Sequence, residues 1–266
     1  MEEDIDKKLY EEDLTEFKLL KSYFNYTRLK YDFKKQEFPH NPKLQLFDST
    51  GTIIWENSTH FLSEYLDFIK ESKYFQDFIA KAQFAVELGC GIGMAGIYFY
   101  TLFQIPTYLT DYHPLILQQA TMNASINSCA LVETMQLDWD LFSEIEKSLP
   151  TFYNRVKMII GSDIVYSSES VLCLANTIER LLNIDGICII SHEVRHTIYN
   201  KDGLLYSEMV DTPLLEFKEI CGKLGLIVSV VRKKVKAEGK MSVELIVLAI
   251  SKKHNEIIES ITMHEP

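Results

Sequence analysis

From Gln83 onward the hydrophobic positions alternate between two patterns. Short apolar runs at 83–88, 107–110, 131–137, 156–162 and 186–191 have the length of strands. Between them, around 94–103, 114–127, 141–148 and 168–182, lie longer stretches with helical spacing. Met158-Ile159-Ile160 and Ile187-Cys188-Ile189-Ile190 are continuously apolar, which suits strands covered on both faces. Strands taken in turn with helices predict a parallel sheet with right-handed crossovers. After a helix near 213–224, the runs Leu226–Val231 and Val243–Ile250 flank Gly239 with no helix between them. That pattern predicts a terminal antiparallel hairpin. The expected fold class is α/β, a seven-stranded sheet flanked by helices with a C-terminal antiparallel β-hairpin.

Upstream, Leu14, Phe17, Leu20 and Phe24 recur at intervals of three and four and predict an amphipathic helix. Pro39-His40-Asn41-Pro42 reads as a link. Asn57-Ser58-Thr59 resembles a helix start, with Phe61, Leu62, Tyr65, Leu66 and Ile69 forming one apolar face behind it. The expected organisation is a helical extension over 1–44, a main domain over 45–252 and a loose polar tail over 253–266. A chain of 266 residues, 47% hydrophobic, supports one substantial core. No apolar run reaches the roughly 18 residues of a membrane span, and the acidic Met1-Glu2-Glu3-Asp4 start is unlike a secretory signal. A cytoplasmic monomer is expected, with the nucleus left open.

Cys90, Cys129, Cys173, Cys188 and Cys221 are odd in number and include no C-x-x-C pair, so free thiols are expected rather than disulfides or a metal site. A formal net charge of -11 argues against binding nucleic acid through its phosphates and suits a basic partner.

The candidate chemistry begins at Phe84-Ala85-Val86-Glu87-Leu88, which runs into Gly89-Cys90-Gly91-Ile92-Gly93. Glycines permit a sharp strand-to-helix turn and close approach of the backbone to a ligand, and the amides opening the next helix favour anionic groups. Asp111 ends the following apolar run, where a carboxylate can accept both hydroxyls of a ribose. Gly91, Gly93 and Gly96 also satisfy G-x-G-x-x-G, so a nicotinamide dinucleotide competes as ligand. Glu87 favours a cofactor with a cationic amino group, since it would repel a pyrophosphate.

In this arrangement the sequence resembles the seven-β-strand, Rossmann-like S-adenosylmethionine methyltransferases. Within them it resembles methyltransferase family 16, the methyltransferase-like 21 group of protein lysine methyltransferases. The likeness covers about residues 45–250. It rests on Gly51-Thr52-Ile53-Ile54-Trp55, the turn from Glu87 to Gly93, Leu137-Asp138-Trp139, and Ser162-Asp163-Ile164-Val165-Tyr166, which matches the family's D-x-x-Y signature. Position 162 is often Ala in the family, and the first 40 residues have no counterpart.

The resemblance implies S-adenosylmethionine as cofactor and S-adenosylhomocysteine as product. It implies that Trp55, Gly89, Cys90 and Gly91 contact the cofactor, that Asp111 holds the ribose, that Asp138 and Trp139 border the adenine and that Ser162 contacts adenine or ribose. Glu87 and Gly93 belong to the same turn. Asp163 and Tyr166 would line the methyl-transfer pocket and carry the catalytic roles. Each has a plainer alternative: core packing for the two tryptophans, a helix cap for Asp163, an ordinary first-turn position for Tyr166.

Ser191-His192-Glu193-Val194-Arg195 follows the fifth strand. Glu193 could meet a basic substrate and Arg195 an acidic one, or the two could form a surface ion pair. His192 is a weaker candidate base than Asp163, because alternation turns it away from Ser191 and Glu193. The polar stretch 194–212 is expected to shape substrate access. The leading function is methylation of a lysine in another protein. Arginine or histidine acceptors, a small-molecule acceptor, an inactive cofactor-binding module and a nicotinamide-dependent oxidoreductase stand as alternatives.

Overall fold

The computed structural model describes residues 51, 55–195, 197–201, 204–208, 210–238 and 241–263. The expected helix around Leu14–Phe24, the Pro39–Pro42 link, Thr52–Ile54 of the first motif and Gly239 lie outside them.

The strands are β1 (Ala85–Leu88), β2 (Thr107–Asp111), β3 (Val132–Gln136), β4 (Val156–Ser162), β5 (Leu182–Val194), β6 (Thr197–Lys201), β7 (Leu204–Glu208), β8 (Ile227–Glu238) and β9 (Met241–Ser251). Seven form one sheet in the order β3-β2-β1-β4-β5-β9-β8. The first five are parallel, while β9 runs antiparallel to both β5 and β8. This is the expected Rossmann-like sheet with its terminal hairpin.

The helices are α1 (Glu56–Lys70), α2 (Lys73–Ile79), α3 (Met94–Phe103), α4 (Pro114–Ile126), α5 (Ile145–Ser148), α6 (Val171–Leu181), α7 (Thr212–Lys223) and α8 (Glu256–Ile261), with a 3-10 turn over Trp139–Glu144 before α5. Strand alternation divides the core between the two faces of the sheet. Val86, Leu88, Ile159, Cys188, Ile190 and Leu248 point to one face, where α6 and α7 add Leu174, Ile178 and Phe217. Ala85, Met158, Ile160, Ile189 and Val247 point to the other, under the apolar stripe Phe61, Leu62, Tyr65, Leu66 and Ile69 of α1. The central strands are therefore apolar throughout because both sides are covered.

Three features depart from expectation. A second short helix, α2, starts at Ser72, whose hydroxyl accepts from Phe75 N–H, and buries Phe75, Phe78 and Ile79. The segment expected as a long polar connection contains the antiparallel pair β6–β7, a separate two-stranded sheet. The stretch expected as a loose tail contains a docked helix: Asn255 caps α8, Ile258 and Ile261 are buried against the α1–α2 layer, and Tyr65 Oη donates to Ile261 O at 2.8 Å. Two apolar residues on one face of a short helix suffice to dock it, a signal too sparse to stand out in a polar sequence.

Candidate active site

In an open α/β sheet the strands feed a crevice at their carboxyl ends, at the point where strand order reverses. Here that point is the β1/β4 boundary, since the chain moves outward from β1 to β2 and β3 before returning to β4. A cavity of about 680 Å3 opens there, within the range of small-molecule sites. Trp55, Glu87, Gly89, Cys90, Gly91, Asp111, Asp138, Trp139, Ser162, Asp163 and Tyr166 all line it, so these positions, scattered over the sequence, meet around one cavity. Gly93, Glu193 and Arg195 do not line it. Gly93 is the N-cap of α3 and shapes the turn instead.

The turn between β1 and α3 has Gly89, Gly91 and Gly93 all at positive φ. At Gly91 (φ 52°) a Cβ would stand 2.9 Å from the carbonyl oxygen of Gly51, so the backbone of the preceding motif packs onto the turn only because no side chain is there. Gly91 N–H donates to Asp111 Oδ2 at 3.2 Å, and His113 N–H donates to Oδ1 at 3.0 Å. These bonds hold the buried Asp111 carboxylate at the rim of the cavity.

Glu87 is buried beneath the turn. Its Oε2 accepts from Gly96 N–H at 2.9 Å, and a Cβ on Gly96 would come within 2.5 Å of that same oxygen. Burial pushes the Glu87 carboxyl up from 4.5 to about 8; the Gly96 bond draws it back, and the neighbouring Asp111 charge adds to the rise. Below pH 4.5 the proton is bound in both the folded and unfolded chain. Between 4.5 and about 8 only the fold retains it, so stability falls as pH rises, by at most about 1.4 kcal/mol per pH unit. Glu87→Gln removes this component. The variant is expected to gain stability relative to wild type from pH 5 to pH 8, read as melting temperatures of both proteins at each pH. A constant difference would mean that Glu87 is already ionised at pH 5.

Across the cavity, Asp138 Oδ1 accepts from Asp140 N–H at 3.0 Å and starts the 3-10 turn, which places the half-buried Trp139 over Gly89. Trp55 precedes α1 and is 44% exposed, so it is not a core residue. Thr59 on α1 hydrogen-bonds Ser162 (Oγ1 to Oγ, 3.0 Å), and Ser191 Oγ donates to the same Ser162 oxygen at 3.3 Å. These contacts fasten α1 to the ends of β4 and β5.

Asp163 follows β4 with φ 57°, a left-handed conformation that Asp tolerates better than most residues. It is only 4% exposed. It caps no helix: its N–H donates to Ser191 O at 2.8 Å, its Oδ1 accepts from Glu193 N–H at 3.3 Å, and its Oδ2 is ion-paired with the Arg195 guanidinium. Tyr166, 48% exposed, lines the same cavity.

His192 faces the opposite side of β5, as alternation requires. It is fully buried, with Nε2 2.8 Å from Asp211 Oδ2 and Nδ1 3.7 Å from Asp163 Oδ1. Asp211 also accepts from Arg195 N–H at 2.7 Å and caps α7 through Leu214 N–H at 3.0 Å. Burial alone would raise the Asp211 carboxyl, but its bonds from His192, Arg195 and Leu214 outweigh that and hold it below the usual value. Glu193 and Arg195 do not form an ion pair with each other. Arg195 bonds the Glu193 carbonyl at 3.3 Å, while the Glu193 carboxylate accepts from Asn57 Nδ2 at 3.1 Å.

The sequence reading missed Tyr112, Met94 and Ile116, which complete the apolar lining, and Asp211, which ties His192 and the Arg195 backbone of β5 to the start of α7. Tyr112 had a signal, its place directly after the Asp that ends β2. Asp211-Thr212-Pro213 likewise reads as a helix cap.

A buried acid under a glycine turn, an acid at the end of β2, an indole wall and a volume of this size fit S-adenosylmethionine. Among solved structures, the chain is similar to ribosomal protein L11 methylase from Lactobacillus delbrueckii subsp. bulgaricus, with 17% identity over 76% of this chain and 81% of that one, at a TM-score of 0.50. It is similar to a putative sarcosine dimethylglycine methyltransferase from Galdieria sulphuraria, with 11% identity over 71% and 85% of the two chains, also at 0.50. A putative transferase from Pyrococcus horikoshii aligns over 67% of this chain at 15% identity and a TM-score of 0.45, and the chain spans 62% of its length. At these identities the likeness concerns the fold. A search of curated proteins finds no match. A family model described as lysine methyltransferase, methyltransferase family 16, matches residues 41–203. With more than half of its length matched, the chain belongs to methyltransferase family 16, the seven-stranded S-adenosylmethionine-dependent methyltransferases.

Proposed function

We propose that the protein transfers a methyl group to the side-chain amine of a lysine in another protein. The observation that carries this reading is Asp163: a buried carboxylate in the cofactor cavity, held in a left-handed conformation, with a cationic side chain already seated on it. The family description supports lysine as acceptor.

Bound S-adenosylmethionine supplies an electrophilic methyl on a sulfonium. The residues of this chain bind and align. Asp111 would accept the ribose hydroxyls, Glu87 would lie beneath the amino group, and Asp138, Trp139 and Tyr112 would border the adenine. Glycine-turn amides receive the carboxylate. Trp55 and Ser162 close the side next to α1. On the acceptor side Asp163 anchors the incoming amine and orients its lone pair once the proton has left to solvent. Tyr166 offers a π face or hydroxyl to the cation.

Incubation with methyl-labelled S-adenosylmethionine and a proteome extract, followed by mapping of the label by mass spectrometry, tests this. Label is expected on lysine Nζ of a protein. Label on arginine or histidine, or only on small molecules, would refute the lysine reading.

A further inference from the structure

Among the described residues, two basic side chains lie within ion-pair distance of Asp163, and Arg195 alone hydrogen-bonds its carboxylate. The backbone of Arg195 is fixed by the 2.7 Å bond from its N–H to Asp211. Its side chain is 31% exposed: besides the ion pair with Asp163 it donates to the Glu193 carbonyl at 3.3 Å and lies over the Trp55 ring at 5.7 Å, where a partly exposed cation–π contact adds little. The Asp163 side chain beneath is 1% exposed, and its other oxygen already accepts from Glu193 N–H. A second cation cannot reach the same oxygen without strong repulsion from the first.

We propose that Arg195 is an exchangeable internal occupant of the acceptor site: it neutralises Asp163 in the free protein, and a basic side chain of the substrate replaces it, moving the guanidinium off Asp163 and off Trp55. The proposal rests on the function above only in taking the acceptor to be basic. Exchange keeps the charge of the site constant, so the free protein never carries a bare buried carboxylate. It also imposes selection, because a neutral side chain cannot displace the guanidinium. Arg195 thereby contributes to specificity although it does not itself line the cofactor cavity.

The test uses the full chain without cofactor, with n-butylammonium as probe. Trp55 and Trp139 are the only tryptophans, so intrinsic fluorescence reports the ring beneath Arg195. Arg195→Met is expected to bind the probe at least tenfold tighter than wild type, and Asp163→Asn with Arg195→Met to lose that binding. Wild type should show a fluorescence change at high probe concentration as the guanidinium leaves Trp55. Binding to Arg195→Met that is absent, or no tighter than to wild type, overturns the proposal. If Arg195→Met does not give a cooperative melt, Arg195→Gln serves with the same criterion. The measurement involves no methyl transfer. Label found on lysine together with unchanged probe affinity would therefore refute the exchange alone, and label found on arginine together with the expected gain in probe affinity would refute the lysine reading alone.

Discussion

Asp163→Asn is expected to lower kcat/KM about 100- to 1000-fold, or about 2.7–4 kcal/mol of transition-state stabilisation, while cofactor affinity stays within about threefold. Asn is the informative substitution because it tolerates the left-handed φ of 57° and preserves the shape of the turn after β4. What it removes is the negative charge that holds the acceptor. Stability should drop by only about 1 kcal/mol, since the Arg195 partner is partly exposed and returns to solvent. Asp163→Ala should cost roughly 1 kcal/mol more for backbone strain, with the same loss of activity. Steady-state kinetics with labelled cofactor, paired with calorimetric titration, separates the two quantities. Near-normal turnover in a folded Asp163→Asn protein would remove Asp163 from the mechanism.

Gly91→Ala acts on the other half of the site. An Ala there pays about 1–2 kcal/mol for its positive φ. Its Cβ also meets the Gly51 carbonyl at 2.9 Å, and relief of such a backbone contact costs a further ~1–3 kcal/mol. The melting temperature is expected to fall by roughly 4–12 °C and cofactor affinity at least tenfold, because the shift displaces the amide that positions Asp111. Gly222→Ala is the internal control. Gly222 lies in α7 with open space where its Cβ would stand, so Ala should stabilise by about 0.4–1 kcal/mol and leave affinity unchanged. Equal effects at the two glycines would contradict the steric account.

Much of this architecture was legible before any coordinates. The five parallel strands announce themselves because strands buried on both faces are apolar throughout, and the two final β runs lack a helix to separate them. The candidate site was legible where residues stand at strand ends: Glu87, Asp111, Trp139 and Asp163 each close or follow a predicted strand, and all four line the cavity. Elements with few anchoring residues were not legible. Helix α2 is a single short amphipathic unit around Phe75, Phe78 and Ile79, and α8 depends on Ile258 and Ile261. The β6–β7 pair lacks strict alternation, and its one local signal is the two-residue Asp202-Gly203 connection. The partners of Arg195 were out of reach for a different reason. Asp163 lies 32 residues before it and Asp211 lies 16 after it, so the contacts exist only once β4, β5 and α7 are side by side. Sequence could offer Arg195 a surface ion pair with Glu193, but in the fold Glu193 bonds Asn57 and Arg195 pairs with Asp163. Of the described residues, no helix is long and apolar enough to cross a membrane.

The central claim is that the cavity at the ends of β1, β2 and β4 holds S-adenosylmethionine with its ribose on Asp111. Calorimetric titration of the cofactor into wild type and Asp111→Ala tests it most directly. One-to-one binding to wild type is expected, with binding at least tenfold weaker to an Asp111→Ala protein that still melts cooperatively. Equal affinity of the two proteins, or no binding to wild type, would contradict it.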